Sequence, residues 1–220
     1  MLSKAMDNPT VERVVRILQK KEIFYISAVV LLSSYFVLRM INLSQAVQKV
    51  KSTADTTAYM RISRDPLFES DFLAGARPFI FPLLLKLFRG NEEAVAWAQG
   101  IFSALSWSVL ALSTAASLRT TLLNYAALGL LLLLSLYQYI IGWDSVLLTE
   151  SLSLSLMALF LAGWLWLARG WSWYKVAAIL AISVLWAFGR DTNAWVLLMI
   201  AGIVLLLVAF RTLDKKFLVF

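Results

Sequence analysis

Long apolar runs, separated by short polar links, dominate this chain of 220 residues. A helix rises 1.5 Å per residue, so a run of about 20 residues covers roughly 30 Å, the thickness of the hydrocarbon core of a bilayer. The pattern predicts an all-α fold, a polytopic membrane bundle of about six transmembrane helices. The predicted spans cover residues 23–41, 93–118, 122–141, 146–168, 174–188 and 194–210.

Two longer polar segments interrupt this pattern. Apolar residues repeat at helical spacing between Lys and Arg in residues 1–22, which predicts an amphipathic tail on the cytoplasmic membrane surface. Residues 42–92 form the longest link. Its apolar stretch 77–88 contains two prolines and is too short to span, so it predicts an interfacial or re-entrant helix. Residues 23–220, which include this link, form one predicted transmembrane domain.

The composition agrees with a membrane protein and limits the side chains available for proton transfer. The chain is 61% hydrophobic and 15% charged, against roughly 45–50% and 25% in soluble domains. The net charge of +7 follows from Lys and Arg beside the spans, so no nucleic acid partner is expected. With no Cys and no His, proton transfer falls to Asp, Glu, Tyr or Lys. We predict no cofactor and no dedicated metal site, although Asp55 and Asp71 leave a metal open.

Charge asymmetry between the links predicts the orientation. With the N-terminus in the cytoplasm, the tail, the links near Arg119 and Arg169, and the C-terminal Lys215 and Lys216 face the cytoplasm. The short external links then carry only Arg190, as the positive-inside rule requires. The long 42–92 segment is rich in Lys and Arg and yet falls outside, but long segments obey the rule weakly.

In this orientation, ionisable residues gather on the external side of the predicted bundle. They are Asp55, Asp71, Arg77, Asp144, Glu150, Arg190 and Asp191. Glu150 lies about one turn inside an apolar span, where an ionisable group is costly and faces a bundle interior or a water-filled cavity. Two interpretations stay open for Glu150: a role in a ligand site, or a bond to Arg190 or backbone that only holds helices together.

Four motifs, in order along the chain, resemble one family. They are Arg39 at the end of the first span followed by Asp55-Thr56-Thr57-Ala58-Tyr59, the segment 71–78 leading into 81–87, the segment 143–152 with Trp143-Asp144 and Thr149-Glu150, and Arg190-Asp191-Thr192-Asn193-Ala194. These motifs run from residue 39 to residue 194, and the similarity covers nearly the whole chain. The chain resembles the membrane half of GT-C glycosyltransferases, the polyprenyl-phosphate-sugar-dependent enzymes that include protein O-mannosyltransferases and lipid A aminoarabinose transferases.

The resemblance implies an inverting transfer of sugar from a polyprenyl-phosphate donor to an acceptor on the external face. By position, Asp55 is the catalytic base, and the implied substrate-binding residues are Tyr59, Arg77, Asp144, Glu150, Arg190 and Asp191. The expected partners are membrane lipid and the lipid-linked donor. The expected location is a bacterial inner or plasma membrane, with the N-terminus cytoplasmic.

The chain also departs from this family, whose members generally have more spans and often an added soluble domain. We therefore expect either a fragment of a longer enzyme or a reduced relative. The alternative function is a catalytically silent scaffold or accessory subunit, with other membrane subunits as partners. A small transporter is disfavoured because the sequence predicts no discontinuous span and shows no inverted repeat.

Overall fold

A computed structural model describes residues 21–75 and 77–210, and within them every regular element is a helix. The helices are α1 (Lys21–Val47), α2 (Ala54–Ile62), α3 (Ser70–Ala74), α4 (Ile80–Leu87), α5 (Glu92–Ala115), α6 (Thr121–Ser135), α7 (Gln138–Ile141), a 3-10 helix (Gly142–Ser145), α8 (Thr149–Ala168), α9 (Trp173–Ala187) and α10 (Asp191–Ala209). The predicted all-helical class is confirmed. Most of the predicted tail and the last ten residues lie outside the described part.

Four helices, α1, α5, α8 and α10, are long and apolar enough to cross a membrane. A fifth candidate is the pair formed by α6 and the segment Gln138–Ser145, which is bent by 51°. Helix α9 is apolar but has only 15 residues, roughly 22 Å. The described chain thus holds four or five helices of spanning length, and the count of six stays a prediction.

The bundle is built around α5, which packs against α8, α6 and α1. Small residues line the contacts of α5 with its neighbours, since Ala104, Ala111, Ala158 and Ala162 are all buried. Small side chains let helix backbones approach closely. Helix α9 packs on α8, and α10 packs on α9 at the edge.

Helix α1 ends six residues beyond residue 41, where the first span was predicted to end. Its extra turns bury Leu43 and Val47 against Ala96 of α5. Gly100 of α5 faces Leu43 directly, and a side chain there would collide with it. The extension therefore depends on contacts between distant parts of the chain, which hydropathy alone does not report.

The predicted span 122–141 is broken after Ser135 instead of continuous. Arg39 of α1 donates from Nη1 to the Ser135 carbonyl at 2.9 Å. Carbonyls at a helix C-terminus lack partners within the helix and attract positive charge. This long-range cap satisfies a carbonyl at the end of α6, where the chain then turns into α7.

The predicted short helix within residues 77–88 is present as α4, and it covers one end of the bundle with α2. The two helices contribute Tyr59, Phe81 and Leu85 to a buried cluster with Val95 of α5 and Leu147. Burying these side chains fixes α2 and α4 against the ends of the long helices, and α2 carries the first of the candidate site residues.

Candidate functional site

Six of the seven predicted site residues line one small cavity at this end of the bundle. The cavity, here called the Asp55 pocket, has a volume of about 120 Å³. Its walls are Asp55, Tyr59, Arg77, Pro78, Leu148, Thr149, Glu150, Arg190, Asp191 and Thr192. Asp144 lies elsewhere, as described below.

Local structure explains how residues far apart in sequence meet here. A capping box between Thr53 and Thr56 starts α2, with Asp55 in its first turn. The Thr56 hydroxyl donates to the Leu147 carbonyl at 2.9 Å, and Lys51 exchanges backbone hydrogen bonds with the segment just before α8. These bonds hold the start of α2 beside the start of α8, where Glu150 lies in the first turn.

Asp55 and Arg77 form the more exposed ion pair of the pocket. Arg77 Nη2 lies 2.5 Å from Asp55 Oδ1, and the two side chains are 39% and 52% exposed. The Arg77 guanidinium also lies 5.7 Å from the centre of the Tyr59 ring. Exposed ion pairs contribute little net energy, so this pair can open and exchange partners at low cost.

Glu150 forms the second ion pair, with Arg190 just before α10. The Arg190 Nη1 to Glu150 Oε1 distance is 3.2 Å, and Glu150 is 20% exposed. The other carboxylate oxygen, Oε2, is buried and has no hydrogen-bond donor among the described residues. Glu150 therefore makes the bond to Arg190 that was predicted to hold helices together, and it also lines the pocket. Its Oε2 keeps the capacity to accept a further hydrogen bond.

Tyr59 supplies a neutral hydroxyl rather than a base. Burial raises the pKa of the Tyr59 phenol, and a hydrogen bond with the Thr149 side chain and the nearby Arg77 only partly offset this. The ring packs edge-on against Phe81 with centroids 5.2 Å apart. At neutral pH the hydroxyl stays protonated, which leaves the carboxylates of the pocket as the groups able to accept a proton.

Asp144 lies in a separate, buried network with Arg39. Arg39 Nη2 is 2.8 Å from Asp144 Oδ2, and the two side chains are 2% and 5% exposed. The same Nη2 donates to the Ser103 hydroxyl at 2.6 Å, and the Ser151 hydroxyl donates to Asp144 Oδ1 at 2.7 Å. Arg39 and Asp144 line a second cavity of about 300 Å³, here called the Arg39 cavity.

Sequence reasoning missed the polar partners of this network. Gln99 and Ser103 lie four residues apart on one face of the apolar helix α5. Gln99 donates from Nε2 to the Val146 carbonyl at 3.1 Å, beside Asp144. The signal was present in the sequence, because two polar residues one turn apart in an apolar helix indicate a buried polar contact.

Within the described part of the chain, no group of three or more acidic, His or Cys side chains is placed to hold a metal ion. The side chain of Asp71, predicted as a possible partner of Asp55, lies outside that part. Comparison with family models, with curated proteins and with solved structures found no match to this chain.

Proposed function

We propose that the chain is a membrane glycosyltransferase-like protein that transfers a sugar from a polyprenyl-phosphate donor, with inversion, to an acceptor on the external face. The observation that carries this proposal is the convergence of Asp55, two arginines, Tyr59, Glu150 and Asp191 on one pocket. Such a set offers a base, cations for a phosphate, and acceptors for sugar hydroxyls.

In the proposed reaction, Asp55 acts as the general base. The acceptor hydroxyl or amine attacks the anomeric carbon and forms the new glycosidic bond, while its proton passes to the Asp55 carboxylate. The bond between the anomeric carbon and the phosphate oxygen breaks, and its electron pair leaves with the polyprenyl phosphate. Arg77 and Arg190 stabilise this developing charge, which requires Arg77 to exchange Asp55 for phosphate.

Glu150, Asp191 and Tyr59 are proposed to orient the sugar. The buried Oε2 of Glu150 lacks a donor within the described residues, and an unmatched buried acceptor is costly. A sugar hydroxyl that donates to this oxygen would remove that cost. The neutral Tyr59 hydroxyl can donate to a sugar oxygen in turn.

An apolar groove next to the pocket suits the lipid part of the donor. It has a volume of about 550 Å³ and lies between α8, α9 and α10. Its lining includes Ala187 and Ala194, which lie three and four residues from Arg190. The pocket itself is smaller than the roughly 300 Å³ of common ligand sites, so we assign it the phosphate and part of the sugar.

Exposed apolar surface supports placement in a membrane. In α10, Trp195, Leu198 and Met199 are more than 60% exposed, and little of the most apolar part of α1 and of α10 is buried. Continuous apolar surface of this extent needs an apolar solvent or partner. We propose a bilayer in that role, with the N-terminus cytoplasmic and the Asp55 pocket on the external side.

The test is sugar transfer in proteoliposomes from a short-chain polyprenyl-phosphate sugar, with Asp55→Asn as the variant. Removing a general base should slow transfer about 10²- to 10⁴-fold. Asp65→Asn is the matched control, because Asp65 lies three residues after the end of α2, the helix that carries Asp55, and does not line the pocket. Equal rates in Asp55→Asn and wild type would contradict the proposed base.

A silent scaffold or accessory subunit is the second candidate, and one observation favours it. Asp55 and Glu150 are each already paired with an arginine, and they enclose only a small volume. A scaffold of this kind would neither bind nor turn over the donor, and it would co-purify with defined membrane subunits. Donor binding by the isolated chain would contradict it.

A further inference from the structure

We propose that the Arg39 cavity is a second binding site, for an uncharged polyhydroxyl ligand: a free sugar or the sugar headgroup of a neutral glycolipid. The cavity, of about 300 Å³, has Arg39 and Asp144 in its floor and three side-chain amides, from Asn42, Gln45 and Gln138, around it. Its volume reaches the lower end of the range of ligand pockets, roughly 300–1,000 Å³. The proposal does not depend on sugar transfer at the Asp55 pocket.

The floor of the cavity is charged but balanced. Arg39 and Asp144 neutralise each other at 2.8 Å and are almost fully buried. The Arg39 guanidinium donates from both terminal nitrogens, toward Ser135, Ser103 and Asp144. These bonds satisfy the two groups within the protein, so the pair adds no net charge to the cavity.

The amides at the cavity supply the hydrogen-bond donors and acceptors that a ligand would use. Gln45 and Gln138 are exposed, and neither side chain has a hydrogen-bond partner in the part of the chain that the structure describes. Asn42 donates to the Leu38 carbonyl, which leaves its amide oxygen as an acceptor. Each amide presents a donor and an acceptor side by side, an arrangement that matches neighbouring hydroxyls on one ring.

The availability of the charged groups decides the class of ligand. In the Asp55 pocket, Arg77 and Arg190 are 39% and 45% exposed and can exchange their carboxylate partners, whereas Arg39 and Asp144 are paired with each other and only 2% and 5% exposed. Neither group of this buried pair is free to neutralise a charged ligand, and the other groups that line the Arg39 cavity are neutral. A neutral polyol needs no charged partner and can use the donors and acceptors of the amides.

Two exposed tyrosines bear on the source of the ligand. Tyr137 and Tyr139 flank Gln138 in sequence, are 56% and 74% exposed, and have ring centroids 5.3 Å apart. In membrane proteins, tyrosines of this kind concentrate at the depth of lipid headgroups. A headgroup at that depth would reach the cavity without leaving the membrane.

The test uses the full chain in nanodiscs of phosphatidylcholine, purified without sugar-based detergent. The probes are monoglucosyl diacylglycerol, diacylglycerol without sugar, phosphatidylglycerol, and free methyl glucoside as competitor, with bound lipid counted by native mass spectrometry. The variant is Gln45→Leu with Gln138→Leu. Loss of two hydrogen bonds should weaken binding of the glucosyl lipid about tenfold. Gln48→Leu is the matched control, since Gln48 is exposed nearby but does not line the cavity.

Binding of the glucosyl lipid that falls in the double variant and not in the control supports the site. Competition by methyl glucoside then identifies the sugar alone as sufficient, and absence of competition identifies the intact lipid as the ligand. Equal binding by the double variant, or stronger retention of phosphatidylglycerol than of the glucosyl lipid, would overturn the proposal. Because the readout is binding, an inactive Asp55→Asn enzyme leaves the result unaffected.

Discussion

The two polar regions of the bundle use the same ion-pair chemistry in opposite surroundings. In the Asp55 pocket, Asp55 and Arg77 are both more than a third exposed. In the Arg39 cavity, Arg39 and Asp144 are nearly inaccessible and are tied to Ser103, Ser135 and Ser151. An exposed pair can exchange its partners, whereas a buried one fixes helices in place. Glu150 and Arg190 lie between these extremes.

The largest expected effect comes from breaking the buried pair. Arg39→Met leaves the Asp144 carboxylate buried without its cation, and this costs about 3–5 kcal/mol in the free energy of unfolding. Unfolding by sodium dodecyl sulfate in mixed micelles measures the change. Arg61→Met, at an exposed position of α2, is the control.

A double variant tests whether the loss of stability in Arg39→Met has a structural or an electrostatic cause. Replacing both charges, as Arg39→Met with Asp144→Leu, should recover more than half of the loss, because no buried charge is left unpaired. Loss of stability in the double variant equal to that in Arg39→Met would contradict this explanation.

The intermediate pair should show an intermediate effect. Arg190→Gln leaves the mostly buried Glu150 without its cation but close to solvent, so we expect a loss of about 1–2 kcal/mol in the free energy of unfolding. The same denaturation measures it, with Arg169→Gln as the control at another exposed link. A loss of stability as large as that of Arg39→Met would show that burial does not determine the relative size of these effects.

The smallest stability effect is expected at the exposed pair. Arg77→Gln should change the free energy of unfolding by less than about 1 kcal/mol, and added salt should reduce even this difference by screening. Arg64→Gln, exposed in the same link, is the control. A loss above about 2 kcal/mol would contradict the view that this pair opens readily.

Much of the Asp55 pocket could be predicted from sequence order. Arg77, Glu150 and Arg190 each lie near the end of an apolar run, Asp55 lies in the polar link after the first run, and alternation of the runs places all four on one side. Alternation thus predicts the shared side of the bundle, and the packing of α2 and α4 at that end brings six of the predicted residues to one pocket.

The position of Asp144 could not be predicted in the same way. It belongs to the same predicted side, but its depth depends on Arg39, which lies 105 residues earlier in the chain. The break after Ser135 and the extension of α1 to Val47 also result from contacts between distant helices. Hydropathy reports the length of an apolar run and not which distant side chain satisfies its end.

The most direct test of the proposed function is the rate of sugar transfer from a polyprenyl-phosphate sugar by wild type, Asp55→Asn and Asp65→Asn in proteoliposomes. If Asp55 is the general base, Asp55→Asn slows transfer about 10²- to 10⁴-fold while Asp65→Asn matches wild type. Transfer by Asp55→Asn at the wild-type rate, or no transfer and no donor binding by the wild type, would contradict it.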